Sequence, residues 1–358
     1  MFGLSFGKNA FIGVDIGTSA IKIVEIKNNS GKPVLSNYAW MSFDGYFKKD
    51  DSVSETYEKI LPQYLKRIIS ESGIKSKITH TSIPAFGGLI TLIEFPQMDK
   101  NDIEQAIKFE AHKYIPTSLD EVVLSWDIIN GNLSAATKES EIVTAGNEKL
   151  QVLLVAASKK KVERYEKMIM SAGLKLESIE IESFSMVRSL IGNDQGNFII
   201  ADIGSRVCNI LLIEKGAIRI NRNIDAGGKD ITKTIAKSMS VTDDRAEKLK
   251  LGGKNFFAAD SYMTFPSLEI IRDEIARTAN AYSHEGKKLK IDNVILSGGT
   301  ANLSGLADYF TQALGIKTIV GNPFGRIEYD KKIEPALKIL GTRFSVAAGL
   351  ALKGMEKK

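Results

Sequence analysis

A chain of 358 residues is longer than one ordinary domain and implies two, and 43% hydrophobic with 25% charged residues is enough apolar material to bury a sizeable core. The net charge of +5, from 48 basic and 43 acidic residues spread along the chain, does not point to nucleic acid, and a single cysteine, Cys208, excludes a disulfide framework or a cysteine zinc site. Charges at Lys8 and Asp15 interrupt the first residues before a secretory apolar segment forms, and no stretch approaches the roughly 18 apolar residues of a membrane span, so a soluble cytoplasmic protein is expected.

Residues 1–9, with Phe2, Leu4 and Phe6 among glycines, read as a frayed terminus, with contact to a membrane or partner as the alternative. Residues 11–26, FIGVDIGTSAIKIVEI, form two apolar runs around a small polar turn, which predicts a β-hairpin. Such a turn lets Gly17, Thr18 and Ser19 bring N–H groups and hydroxyls close to a phosphate, while Asp15 can hold a hydrated Mg2+ and Lys22 can reach an anionic oxygen. The same residues also suit an ordinary turn. A third strand is expected at 34–43, then an amphipathic helix at 54–73 that Pro62 should kink or restart, then a strand at 78–83.

Residues 86–173 have a different texture. A strand at 89–95 leads to a helix with Asn101 and Glu104 as its capping box, Ile103, Ala106, Ile107, Ala111 and Tyr114 on one side, and Pro116 as its stop. Strands at 122–129 and 150–157 flank a polar loop, 130–149, and a helix at 162–172 ends at Gly173. His112 reads as a surface residue, and neither His80 nor His284 has a partner in sequence. A strand at 174–181 and a helix at 182–190 follow.

Residues 198–213, FIIADIGSRVCNILLI, then align without a gap on 11–26: Asp202 falls on Asp15, Gly204 on Gly17, Ser205 on Thr18, and Asn209 on Lys22. A repeat that keeps the acid, the glycine and the hydroxyl exceeds what turn preference requires. Two such turns face to face make a phosphate clamp, with Gly204, Ser205 and Arg206 opposite the first turn. Asp15 and Asp202 would repel one another there without a cation between them. A strand at 217–224 ends at Gly227 and Gly228, where backbone must pass close to another group, before a helix. A charged helix around 246–250 and a long helix at 266–284 come next. A strand at 293–297 then opens onto Gly298-Gly299-Thr300 and a helix at 303–314.

In this order the two hairpins and the strand, Gly-Gly-Thr and helix resemble the phosphate 1, phosphate 2 and adenosine motifs of the actin, Hsp70 and sugar-kinase superfamily. Within it, FPQM at 95–98, Tyr114-Ile115-Pro116, Asn322-Pro323-Phe324 and the small-residue helix at 344–353 resemble the PilM family of type IV pilus assembly proteins, relatives of FtsA. The resemblance implies an α/β, actin-like ATPase fold of two ribonuclease-H-like domains with an inserted FtsA-type 1C subdomain, SHS2-like. Residues 1–85 and 174–192 would form subdomain 1A, 86–173 subdomain 1C, and 193–343 the second domain, with 2B at about 228–292; residues 344–358 return to 1A.

It further implies ATP and Mg2+ as cofactors, Gly227 and Gly228 beside the phosphates, and Glu247, Lys250, Gly298, Gly299 and Thr300 around adenosine. Glu182, on the first connecting helix, would be the carboxylate presented to an attacking water; an ordinary helix-cap role is the alternative, as an ordinary charged helix is for 246–250. The implied partner is a PilN-like inner-membrane protein whose N-terminal cytoplasmic peptide lies between 1A and 1C, with 86–96 and 103–116 as candidate groove segments. Other platform proteins, motor ATPases and self-association are further candidates. The closing residues 355–358 carry no amphipathic membrane helix of the FtsA kind, so attachment at the inner face of the membrane is expected through partners. Two other functions stay open here: an FtsA-like filament former, and a small-molecule kinase, for which no acceptor-activating Asp motif lies between the hairpins.

Overall fold

The computed structural model describes residues 10–42, 54–96, 98, 100–129, 149–258, 261, 263–284 and 287–356. Strands β1 (Ala10–Ile16), β2 (Ala20–Asn29) and β3 (Lys32–Ser42) form an antiparallel meander, followed by α1 (Ser54–Ser72) and β4 (Ile78–Ile83). β1 and most of β2 are buried on both faces, which is why their sequences read as nearly continuous apolar runs.

The chain then leaves this sheet through a short turn at Ala85–Gly87 and builds β5 (Gly88–Phe95), α2 (Lys100–Ala111), β6 (Val122–Ile128) and β7 (Leu150–Ser158). These three strands make a separate antiparallel sheet, order β5-β7-β6, with α2 covering one face through Ile103, Ile107 and Ala111. The chain returns through α3 (Lys159–Ser171) and β8 (Lys175–Ile181), which completes the first sheet in the order β3-β2-β1-β4-β8, and exits along α4 (Glu182–Leu190).

The second half repeats the plan. Strands β9 (Asn197–Ile203), β10 (Cys208–Glu214) and β11 (Ala217–Ile224) form a meander, followed by α5 (Gly228–Met239), α6 (Asp243–Leu251), α7 (Pro266–Ala281), the two-residue strands β12 (Ser283–His284) and β13 (Lys287–Lys288), β14 (Asn293–Ser297), α8 (Leu306–Leu314) and β15 (Thr318–Val320). The order β11-β10-β9-β14-β15, with β9, β14 and β15 parallel, matches the first sheet strand for strand. The repeated hairpin is thus part of a repeated sheet. Finally α9 (Glu334–Leu340) and α10 (Ser345–Lys353) pack back between the halves.

Several expectations need correction. α1 continues through Pro62 rather than restarting after it, with the fully buried Leu61 and Leu65 on either side of the proline packed into the first-domain core. α3 starts at Lys159, three residues earlier than the apolar pattern suggests, and α8 starts later, at Leu306, after a left-handed Gly305. α2 begins at Lys100, which puts the expected cap Asn101 inside the helix; its side chain lies outside the described residues, as do the loop 130–148, residues 1–9 and the side chain of His284. The helical run Lys331–Lys353 is long and apolar enough to cross a membrane by composition, with a mean hydropathy of 1.2, against the expectation that no segment approaches this; 61% of its apolar window is buried against the two domains, so it is a core element. His80 does have a partner: its Nδ1 lies 2.7 Å from Ser178 Oγ, and burial lowers its pKa to about 4, a neutral histidine within the sheet.

Candidate functional site

The strand ends of the two sheets face one cleft of about 700 Å3. Its floor is the pair of hairpin turns, and these have the same construction. Gly17 N donates to Ala20 O at 3.0 Å, and Gly204 N donates to Val207 O at 3.0 Å. A Cβ on Gly204 would stand 2.9 Å from Val207 O, too close for a side chain unless the turn shifts, while one on Gly17 would make a tight contact of 3.3 Å with Ala20 O. Thr18, Ser19 and Ser205 line the cleft beside them.

The charges between the turns are asymmetric. In the β1–β2 register Lys22 stands opposite Asp15, and its Nζ donates to Asp15 Oδ2 at 2.7 Å. In the β9–β10 register Asn209 stands opposite Asp202. Burial alone would lower the pKa of Lys22, but Asp15, with Asp202 and Glu182 behind it, reverses the sign and raises it. Burial pushes the Asp202 carboxyl up, and Asp15 adds to this against a Ser297 hydrogen bond and the pull of Lys22. Glu182, at the start of α4, rises to about 8, again through burial, with repulsion from Asp15 and Asp202 contributing. Its Oε1 accepts the Ala85 N–H at 2.8 Å rather than an N–H of its own helix, so it is not a helix cap. Asn209 Oδ1 is buried without a partner.

The second domain supplies the other wall. Gly298 has φ +85°, and a Cβ there would come within 2.5 Å of Ile203 O; only glycine lets β14 turn this closely over β9. Lys250 Nζ donates to Gly228 O at 3.1 Å and Thr232 Oγ1 at 2.8 Å and pairs with Glu247 Oε2 at 2.7 Å, which fastens α6 to the N-terminus of α5. A Cβ on Gly228 would lie 2.7 Å from Thr300 Oγ1, so the Gly-Gly turn, the charged helix and the Gly-Gly-Thr shelf meet at one point.

Fifteen of the seventeen residues singled out in the sequence line this cleft: Asp15, Gly17, Thr18, Ser19, Lys22, Glu182, Asp202, Gly204, Ser205, Gly228, Glu247, Lys250, Gly298, Gly299 and Thr300. Arg206 does not; it points to solvent and pairs with Asp225 at 3.4 Å. Gly227 is shut behind the second turn, where a Cβ would lie 2.8 Å from the backbone of residues 204–206. The sequence reading missed Trp40, Phe86, Thr232 and Arg343, which also line it. Thr232 could have been found one helical turn after Gly228, whereas Trp40 and Arg343 come from distant elements and carry no local signal. Among the described residues no three His, Cys, Asp or Glu side chains are placed to hold a metal directly.

With this geometry in place, comparison with known proteins gives the family. The sequence matches the profile described as type IV pilus assembly protein PilM over residues 13–355. The chain belongs to the PilM family. A solved structure described as the PilM–PilN type IV pilus biogenesis complex superposes with a TM-score of 0.79 at 26% identity, covering 98% of this chain and 100% of the other. FtsA of Streptococcus pneumoniae serotype 2 is 20% identical over 345 residues, which span 86% of this chain and 74% of FtsA. MreB5 of Spiroplasma citri, solved with AMPPNP, shares the fold at a TM-score of 0.51 and 12% identity, covering 97% of this chain and 96% of that one. This PilM-family chain therefore has the two-domain actin-like ATPase fold, and type IV pilus assembly is its family role.

Proposed function

We propose that this chain binds ATP with Mg2+ in the cleft between its two domains, and that the bound nucleotide governs docking of the N-terminal cytoplasmic peptide of a PilN-like protein. The setting is the cytoplasmic face of the inner membrane, at the pilus platform, with attachment through that partner. The observation that carries this reading is the convergence of two matched glycine turns and the Gly-Gly-Thr shelf on one cavity of about 700 Å3, within the usual size range for a small-ligand site. Gly17, Thr18, Ser19, Lys22, Gly204, Ser205 and Gly228 would hold phosphates, and Glu247, Lys250, Gly298, Gly299 and Thr300 the adenosine. Asp15 and Asp202 suit a Mg2+ held through water, since both carboxylates line the cleft and repel one another there, with Lys22 drawing on both. Mg2+ would supply charge neutralisation at the phosphates.

Glu182 gives the cleft a mechanical outlet. The same carboxyl that faces the hairpin turns holds Ala85 N, and Ala85 opens the passage into the three-stranded unit that we read as subdomain 1C, residues 86–173. We assign Glu182 the orientation of water at the terminal phosphate and the coupling of cleft to subdomain. Residues 86–96 and 103–116 present the exposed rings of Phe86, Phe109 and Tyr114, which suit an apolar peptide. The similar PilM–PilN complex supports a PilN-like partner.

Thermal unfolding with Mg2+-ATP, then with a synthetic PilN-like N-terminal peptide, tests the reading. A ligand at 100 times its Kd adds about 2.7 kcal/mol. Shifts with both, each strengthening the other, are expected; no shift with ATP would overturn the proposal.

A further inference from the structure

We propose that the outer face of α3, with the trough between α3 and α1, rests on an anionic phospholipid surface. This relies on the reading above, in which a membrane-anchored partner holds the chain at the bilayer, and adds a lipid contact made by the chain itself.

The two helices pack through their inner faces, Leu61, Leu65 and Ile68 of α1 with Met168 and Ile169 of α3, in the first-domain core. Outside this contact lies a trough of about 450 Å3, lined on the α3 side by Lys160, Lys161, Arg164 and Lys167, with Glu163 as its one carboxylate. Lys160, Arg164, Lys167 and Ser171 follow one another at helical spacing, so they form one stripe about 16 Å long.

A row of cations on a helix is ordinary where each is paired. The lysines of α2 and α9 are: Lys108 meets Glu104 and Lys338 meets Glu334, each at 2.9 Å and one turn along. On α3, Lys160, Lys161 and Lys167 are exposed and form no ion pair among the described residues. Like charges that line one trough repel one another, and an anionic surface offsets that repulsion.

Two observations favour lipid over an acidic protein. Protein interfaces are anchored by apolar or aromatic residues at their centre, and the trough offers only Pro62 and Met168, the latter buried in the core. The second is place. A Cβ on Gly87 would stand 3.2 Å from Lys161 Nζ, so the trough reaches the Ala85–Gly87 turn. Phe86, in the same turn, carries the first exposed ring of the proposed peptide groove. A peptide that continues into a membrane anchor leaves that groove with the bilayer close by, and the lysine row lies next to it. Each cation near an anionic leaflet adds about fivefold to partitioning. Four cations offset by Glu163 therefore contribute about a hundredfold, too little to hold the chain alone but enough to multiply a partner's hold.

The test mixes the full chain, without partner, with vesicles of phosphatidylcholine alone or with about one-third phosphatidylglycerol, and reads binding by flotation. Binding to the anionic vesicles alone is expected, falling steeply as salt rises from about 0.05 M to about 0.3 M. Lys160→Gln with Lys167→Gln should bind them about 25-fold more weakly, at an unchanged unfolding midpoint. Lys237→Gln with Lys317→Gln removes the same charge from exposed positions of the second domain and should stay within about twofold of the parent. Equal binding to both vesicle types, no loss in Lys160→Gln with Lys167→Gln, or equal losses in the two double variants would overturn the assignment of this face to lipid. If a poly-glutamate peptide then bound the parent better than Lys160→Gln with Lys167→Gln, an acidic polypeptide would take the lipid's place. None of these results touches the nucleotide and peptide reading, whose failure shows separately as unfolding midpoints that ATP and the PilN-like peptide leave unmoved.

Discussion

Lys22 is the cation on which three acids depend, since Asp15, Asp202 and Glu182 all act on it. Lys22→Ala should lower ATP affinity about tenfold to a hundredfold, the loss of one charge-assisted contact, as read by calorimetry. Without ligand, the same change leaves the buried Asp15 without its 2.7 Å partner and should lower the urea midpoint as well. Glu182 sets the pH dependence. Its folded pKa of about 8 lies above the ordinary value of 4.5, so the folded protein keeps a proton that the unfolded chain releases. The stabilisation this gives is complete below pH 4.5 and is lost as pH rises through about 8, by up to about 1.4 kcal/mol per unit. Unfolding midpoints measured from pH 5 to 8 should therefore fall less steeply in Glu182→Gln than in the parent; equal slopes would mean that Glu182 is ionised at neutral pH. At this scale the sequence showed which residues carry chemistry wherever a turn forces them inward, as with Asp15 and Asp202. It could not say which way Arg206 points, because a turn residue can as easily face solvent, where Arg206 lies near Asp225 nineteen positions away.

Among the elements, the crossing of α10 over α4 and β1 has the tightest tolerance. A Cβ on Gly349 would lie 1.9 Å from Ser185 O, and one on Gly13 would lie 2.0 Å from Ala347 O, both backbone atoms that cannot swing aside. Ser189 Oγ donates to Ser345 O at 2.7 Å across the same crossing. The run of Ala347, Ala348, Gly349 and Ala351 made this helix legible as a close-packed connector before any contact was known. Gly349→Ala should destabilise by about 3 kcal/mol or more, measured by urea unfolding, because one methyl pushes two central elements apart. α1 tolerates its irregularity for the opposite reason. Local propensity disfavours Pro62 inside a helix, yet α1 continues through it with Leu61 and Leu65 packed in the first-domain core, a tertiary effect that no local pattern contains. Relieving that conflict with Pro62→Ala should raise stability by up to about 3 kcal/mol; a fall would show that the proline is matched to its surroundings.

At the scale of the whole molecule, the internal repeat made the two sheets and the cleft between them predictable, since matched hairpins lie in matched sheets. How the three-stranded unit rests on the rest was not legible, because its contacts join residues far apart in sequence. On one side, a Cβ at Gly88 would lie 2.5 Å from Ile181 Cδ1, at the end of β8. On the other, Arg219 of β11 donates to Gln151 Oε1 of β7 at 2.9 Å, so the unit touches both domains. Arg219 is also ion-paired with Glu214 at 2.9 Å, and both side chains are buried. Two substitutions at this junction should then behave differently. Gln151→Ala removes one hydrogen bond to the guanidinium and leaves the ion pair intact, so it should lower global stability by about 1.5–3 kcal/mol while amide exchange in β5 and β7 rises. Arg219→Ala strands a buried carboxylate and should reduce global stability by about 3–5 kcal/mol. Equal effects from the two would mean that the ion pair contributes nothing beyond the tether. If Gln151→Ala left exchange unchanged, the packing of β11 on β5 and on the Ala85–Gly87 turn would hold the unit to the second domain without that hydrogen bond.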